Sequence, residues 1–102
     1  MNNIKTLDIQ AKEWFDRTYG NSYFSAQVTI NFGMKDERVV YVPFQYGYGD
    51  AYVTKSYEQL QKDGILPNDQ TIYWKWFEDN NIIVRHSKRD ALKRDVKAWG
   101  SN

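Results

Sequence analysis

The chain has 102 residues, no cysteine, a single histidine and a formal net charge of +1. The missing thiols exclude disulfides, thiolate metal sites and a cysteine nucleophile, and the balanced charge leaves no overall field to draw in nucleic acid. At 17% aromatic residues, so short a chain can still cover a continuous core.

In the first segment, Leu7, Ile9, Ala11 and Phe15 share one parity, with Thr6, Asp8, Gln10 and Lys12 on the other. Tyr19-Gly20-Asn21 then supplies turn chemistry. Over residues 22–32 the alternation is unbroken: Phe24, Ala26, Val28, Ile30 and Phe32 fall on one face, opposite Tyr23, Ser25, Gln27, Thr29 and Asn31. Such period-two patterning predicts two half-buried strands joined as a hairpin. The polar loop 33–37 leads into a β-branched segment, 38–44, with Pro43 at its end, which extends the hairpin to an antiparallel meander.

Asp50 is placed to cap a helix over residues 50–63, in which Val53, Tyr57 and Leu60 recur at helical spacing. Gly64 suits a left-handed stop, with Ile65 folding back and Pro67 blocking continuation. Residues 71–77 and 82–86 read as two more strands around the turn-prone Asp79-Asn80-Asn81, although the run TIYWKWF also suits a helix. Ser87 and Asp90 have the spacing of a capping box, and Leu92, Val96 and Trp99 continue an apolar stripe to Gly100. The resulting order, β-β-β-α-β-β-α, predicts an α+β fold: an antiparallel sheet of about five strands with helices packed on one face. No linker, repeat or low-complexity tract divides residues 1–102, so a single domain is expected. Nor does any window approach the roughly 18 apolar residues of a membrane span, and the N-terminus is not patterned as a secretory signal. The expected location is cytoplasmic.

For chemistry the chain offers little. His86 has no metal-ligand or acid–base motif around it, so no cofactor, metal site or catalytic residue is assigned. A convergence of His86, Asp50 and a serine has no nucleophile motif behind it. Gly47-x-Gly49 before a helix is only part of a phosphate loop: a third glycine is missing, and Asp50 puts a carboxylate where phosphate would sit. The joint PFQYGYGDAY instead makes Tyr46, Tyr48, Asp50 and Tyr52 candidate partner-binding residues, with the sealing of a sheet–helix seam as the other reading. The run Tyr73, Trp74, Lys75, Trp76 and Phe77 has the same two readings.

Charge is unevenly spread. From Arg85 onward six basic residues face two acidic ones, whereas the preceding residues carry eight basic and eleven acidic. Lys88, Arg89, Lys93, Arg94 and Lys97 are therefore expected on a basic C-terminal helix that could touch phosphates or an acidic protein surface.

Two strings, WFDRTYGNSYFSAQVTI at 14–30 and VPFQYGYGDAY at 42–52, resemble segments of small uncharacterised proteins encoded by bacteriophages and related mobile elements. Their NSYFS and PFQYGYGD motifs lie in the first two thirds of the chain. The resemblance implies a phage context, action in the host cytoplasm and a host protein as partner, without a mechanism. The leading expectation is a non-enzymatic interaction protein, an inhibitor of a host defence system that occupies a partner surface. The alternative is a nucleic-acid-binding accessory protein whose terminal cations hold phosphates while exposed aromatics stack on bases. A small enzyme centred on His86 is the third and weakest reading.

Overall fold

The alternation over residues 6–30 folds largely as its parity dictates. The computed structural model describes residues 3–68 and 73–101, in which β1 (Thr6–Asp16) and β2 (Asn21–Ile30) pair antiparallel from Leu7 opposite Ile30 to Asp16 opposite Asn21. Their turn is held by the Asp16 carboxylate, which accepts from the Thr18 amide at 2.9 Å, and by Gly20 at φ 72°. β3 (Arg38–Tyr46) adds antiparallel to β2, with a register shift between Phe24 and Ala26.

Alternation in β2 stops at Asn31, whose left-handed φ of 56° turns Phe32 outward, leaving it 66% exposed rather than on the core face. The buried Asn31 amide ties the loop to the start of β1: Oδ1 accepts from the Lys5 amide at 2.6 Å and Nδ2 donates to the Asn3 carbonyl at 3.0 Å. Phe15, expected inside, lies exposed at the hairpin end of β1.

α1 (Ala51–Lys62) begins after Asp50, whose side chain makes no capping bond. Its other end is a Schellman closure: Gly64 sits at φ 75°, the Ile65 amide donates to the Leu60 carbonyl at 2.8 Å, and the Gly64 amide donates to that of Gln61 at 3.0 Å.

The expected strand at 71–77 is replaced by α2 (Tyr73–Asp79); Thr71 and Ile72 lie outside the described residues. A helix wins because it sets Tyr73, Trp76 and Phe77 on one side, where the rings of Tyr73 and Phe77 each lie 5.3 Å from that of Tyr57 on α1. β4 (Ile83–Asp90) runs through Ser87 and Asp90, so no capping box forms there, and α3 (Lys93–Trp99) is correspondingly short. β4 pairs with β1 in parallel, Thr6 opposite Ile83 through Glu13 opposite Asp90. Two ion pairs fit that register, Arg85 Nε to Asp8 Oδ1 at 2.7 Å and Lys88 Nζ to Glu13 Oε2 at 3.0 Å.

The fold is therefore α+β with a four-stranded mixed sheet, ordered β3-β2-β1-β4, instead of about five antiparallel strands. Helices cover both of its faces, another departure from expectation. On one face Leu7, Ile9, Phe24, Ala26, Val28 and Val42 form the core with Tyr52 and Leu60 of α1 and Phe77 of α2. On the opposite face, reached by the odd-numbered residues of β2, the Ser25 hydroxyl donates to the Val96 carbonyl and the Gln27 amide to that of Trp99 at 3.0 Å, docking α3.

Candidate functional site

Trp14 and Tyr23 stand directly opposite each other in the β1–β2 register, on the α3 face of the sheet, and β3 brings Phe44 alongside. Their rings form a row across three strands, with centroids 5.7 Å apart for Trp14–Tyr23 and 5.3 Å for Tyr23–Phe44. Tyr46, opposite Tyr23 in register, meets its ring edge-on at 5.9 Å, and Tyr48 extends the row at 6.5 Å from Tyr46. The inner three rings are half-buried, while Tyr46 and Tyr48 are 57% and 70% exposed.

Glycine explains why those two tyrosines point out. Gly47 is buried so tightly that a Cβ there would fall 2.5 Å from the Phe24 ring, and Gly49 takes a φ of 59°. The chain thus passes close over Phe24 with Tyr46 and Tyr48 outside. Asp50 is also exposed. Tyr52 is not: only 5% exposed, it lies in the core on the other side of the sheet, its hydroxyl 2.7 Å from His86 Nδ1. Burial pushes the Tyr52 phenol pKa up, and the negative charge of Asp50 raises it further. The four tyrosine-joint candidates thus divide, Tyr46, Tyr48 and Asp50 facing solvent and Tyr52 serving the interior.

The basic residues divide as well. Lys93 and Lys97 on α3 hold their ammonium groups over Trp14 and Phe44, 4.9 Å and 5.5 Å from the centroids, and Lys12 sits 4.3 Å over Trp99. Arg94 projects from α3, its side chain 82% exposed. Lys88 and Arg89 belong to β4 and not to a terminal helix. Lys88 turns toward the α1 side, where it donates to Glu13 and, at 2.9 Å, to the Gly49 carbonyl. That contact clamps the glycine segment to the sheet.

His86 lies in mid-strand, with Tyr52 as its partner. The buried hydroxyls of Ser25 and Ser56 donate to backbone carbonyls, of Val96 and Tyr52 respectively. Among the described residues no group of three or more histidine, aspartate or glutamate side chains is arranged to hold a metal ion.

Sequence reasoning found the two outer tyrosines and missed the row behind them. The sign was there: Trp14 and Tyr23 fall on the polar parity of their strands, where a large ring needs either a cover or a partner. The chain matches no family model, no curated protein and no solved structure. Among the described residues no helix is long and apolar enough to cross a membrane.

Proposed function

We propose that the protein is a non-enzymatic interaction protein that docks on a partner protein through Tyr46 and Tyr48. The observation that carries this reading is their exposure on a glycine-defined segment, braced from behind by the Trp14–Tyr23–Phe44 row. Exposed tyrosines held by packed neighbours lose little side-chain freedom on binding, which is what an anchor residue requires. Lys93, Lys97 and Arg94 border the row and suit a partner surface that carries carboxylates. In the phage context implied by the resemblance, the partner is a host protein of a defence system, and occupying its surface in the host cytoplasm is the inhibitory act.

Against a base-stacking platform stands the placement of Lys93 and Lys97, whose ammonium groups already occupy ring faces of Trp14 and Phe44. The test is affinity capture from host cells with the native chain and with a Tyr46→Ala/Tyr48→Ala variant, alongside binding to mixed-sequence single-stranded DNA and RNA over a salt series. A stable protein partner lost in the variant supports the proposal. Steeply salt-dependent nucleic-acid binding that needs Arg89 and Arg94 replaces it with the accessory-protein reading.

A further inference from the structure

The two edges of the sheet are treated differently. β3 carries Pro43, which has no amide hydrogen to offer, and the end of α3 lies against it: a Cβ on Gly100 would fall 2.6 Å from the Val42 carbonyl oxygen and 3.1 Å from the Pro43 Cα. β4, at the other edge, has no proline and no strand beyond it among the described residues. The Ile83 amide donates to the Lys5 carbonyl at 3.0 Å and the Ala91 amide to that of Glu13 at 2.8 Å, so odd-numbered residues of β4 bond to β1. In a parallel ladder the intervening residues then direct both their N–H and C=O groups away from it. Val84, His86 and Lys88 therefore present a row of backbone donors and acceptors at an open edge.

The surroundings of that edge define what fits. On the α1 side a groove runs beside β4 between Val84, His86, Phe77 and Trp74, a residue that is 69% exposed. On the α3 side Lys12 and Arg89 stand directly opposite each other in register, and neither forms an ion pair among the described residues. Like charges facing one another across strands are destabilising; Lys12 turns its ammonium over Trp99, which leaves Arg89 to call for an external anion. The same charges oppose a second copy of this chain: an antiparallel β4–β4 pairing with Ser87 at its centre would bring Arg85 against Arg89.

We infer that the free edge of β4 accepts an extended segment of a partner protein as a fifth strand, running antiparallel to β4. Its residues opposite Val84, His86 and Lys88 are apolar and turn toward the Trp74 groove, and the one opposite Arg89 is acidic. This surface is separate from the tyrosine docking site, since it requires neither Tyr46 nor Tyr48.

A synthetic octapeptide alternating valine and aspartate tests it, with an alternating valine and lysine peptide as control and amide NMR of the native protein as readout. Binding of the aspartate peptide should slow hydrogen exchange at the amides of Val84, His86 and Lys88. N-methylation of its valines, whose amides would face β4, should abolish binding, whereas N-methylation of its aspartates should leave it intact. Arg89→Glu should weaken it roughly tenfold. Equal binding of both methylated peptides, preference for the lysine peptide, perturbation confined to Tyr46 and Tyr48, or no binding at millimolar peptide would each overturn the inference. So would protection of the β4 amides that grows with concentration of the protein alone, which identifies self-association.

Discussion

Gly47 and Gly100 perform one task on opposite faces of the sheet, each letting a backbone segment lie closer than any side chain would permit. At Gly100 the obstacle is the Val42 carbonyl and the Ser25 Cβ, both 2.6 Å from where a Cβ would sit. Gly100→Ala should therefore lift the end of α3 and cost about 2 kcal/mol in urea unfolding. Tyr52 and Tyr57 contribute to the loss of stability at alkaline pH. Burial raises both phenol pKa values above the 10.0 of an unfolded tyrosine. Because the folded state holds these protons more tightly, their contribution is fully present below pH 10 and is lost as pH rises through the higher folded values. Tyr52→Phe and Tyr57→Phe should each flatten the alkaline fall of stability, measured as melting temperature against pH. At neutral pH Tyr52→Phe should also cost about 1 kcal/mol through the lost His86 contact.

β4 is the element in which the ladder geometry can be seen most directly. Amides of Arg85, Ser87 and Arg89 should exchange slowly while those of Val84, His86 and Lys88 exchange fast, an alternation that hydrogen-exchange NMR resolves residue by residue; uniform protection would refute the edge assignment. β1, β2, β3 and α1 were legible because each carries a period and a punctuation mark of its own, as Gly20, Pro43 and Gly64 illustrate. The last third was not, for physical reasons. Tyr73-Trp74-Lys75-Trp76-Phe77 has β propensity residue by residue, and the packing of Tyr73, Trp76 and Phe77 against Tyr57 and the core decides for the helix. The pattern Ser87-x-x-Asp90 carries a helix-start signal that pairing with β1 overrides. Of the candidate site, the exposed Tyr46 and Tyr48 followed from the glycines beside them, whereas the Trp14–Tyr23–Phe44 row depends on cross-strand register, which no single segment encodes. Tyr52 differs from its neighbours only in falling on the inward side of α1, two residues into the helix.

At the scale of the molecule, β1 is an inner strand whose two neighbours come from opposite ends of the described chain. β2 follows directly, while β4 arrives only after β3, α1 and α2, and α3 then closes the far face over β2. Contacts so distant in sequence make folding slow for the size of the protein. A chain stopped at residue 82 should accordingly show no cooperative unfolding transition by circular dichroism, because it lacks both a neighbour for β1 and the cover over Ser25. The charge asymmetry follows the same division, since the late segment is basic and the ion pairs Arg85–Asp8 and Lys88–Glu13 join it to acids of the first strand.

The parallel pairing of β1 with β4 has a bearing on biosynthesis. Translation proceeds at roughly 5–20 residues per second, so the first strand waits several seconds on the ribosome before its partner exists. Throughout that interval the backbone N–H and C=O groups of Leu7, Ile9 and Ala11 that β4 will pair face water along an unfinished margin, where a nascent chain is most in need of a chaperone.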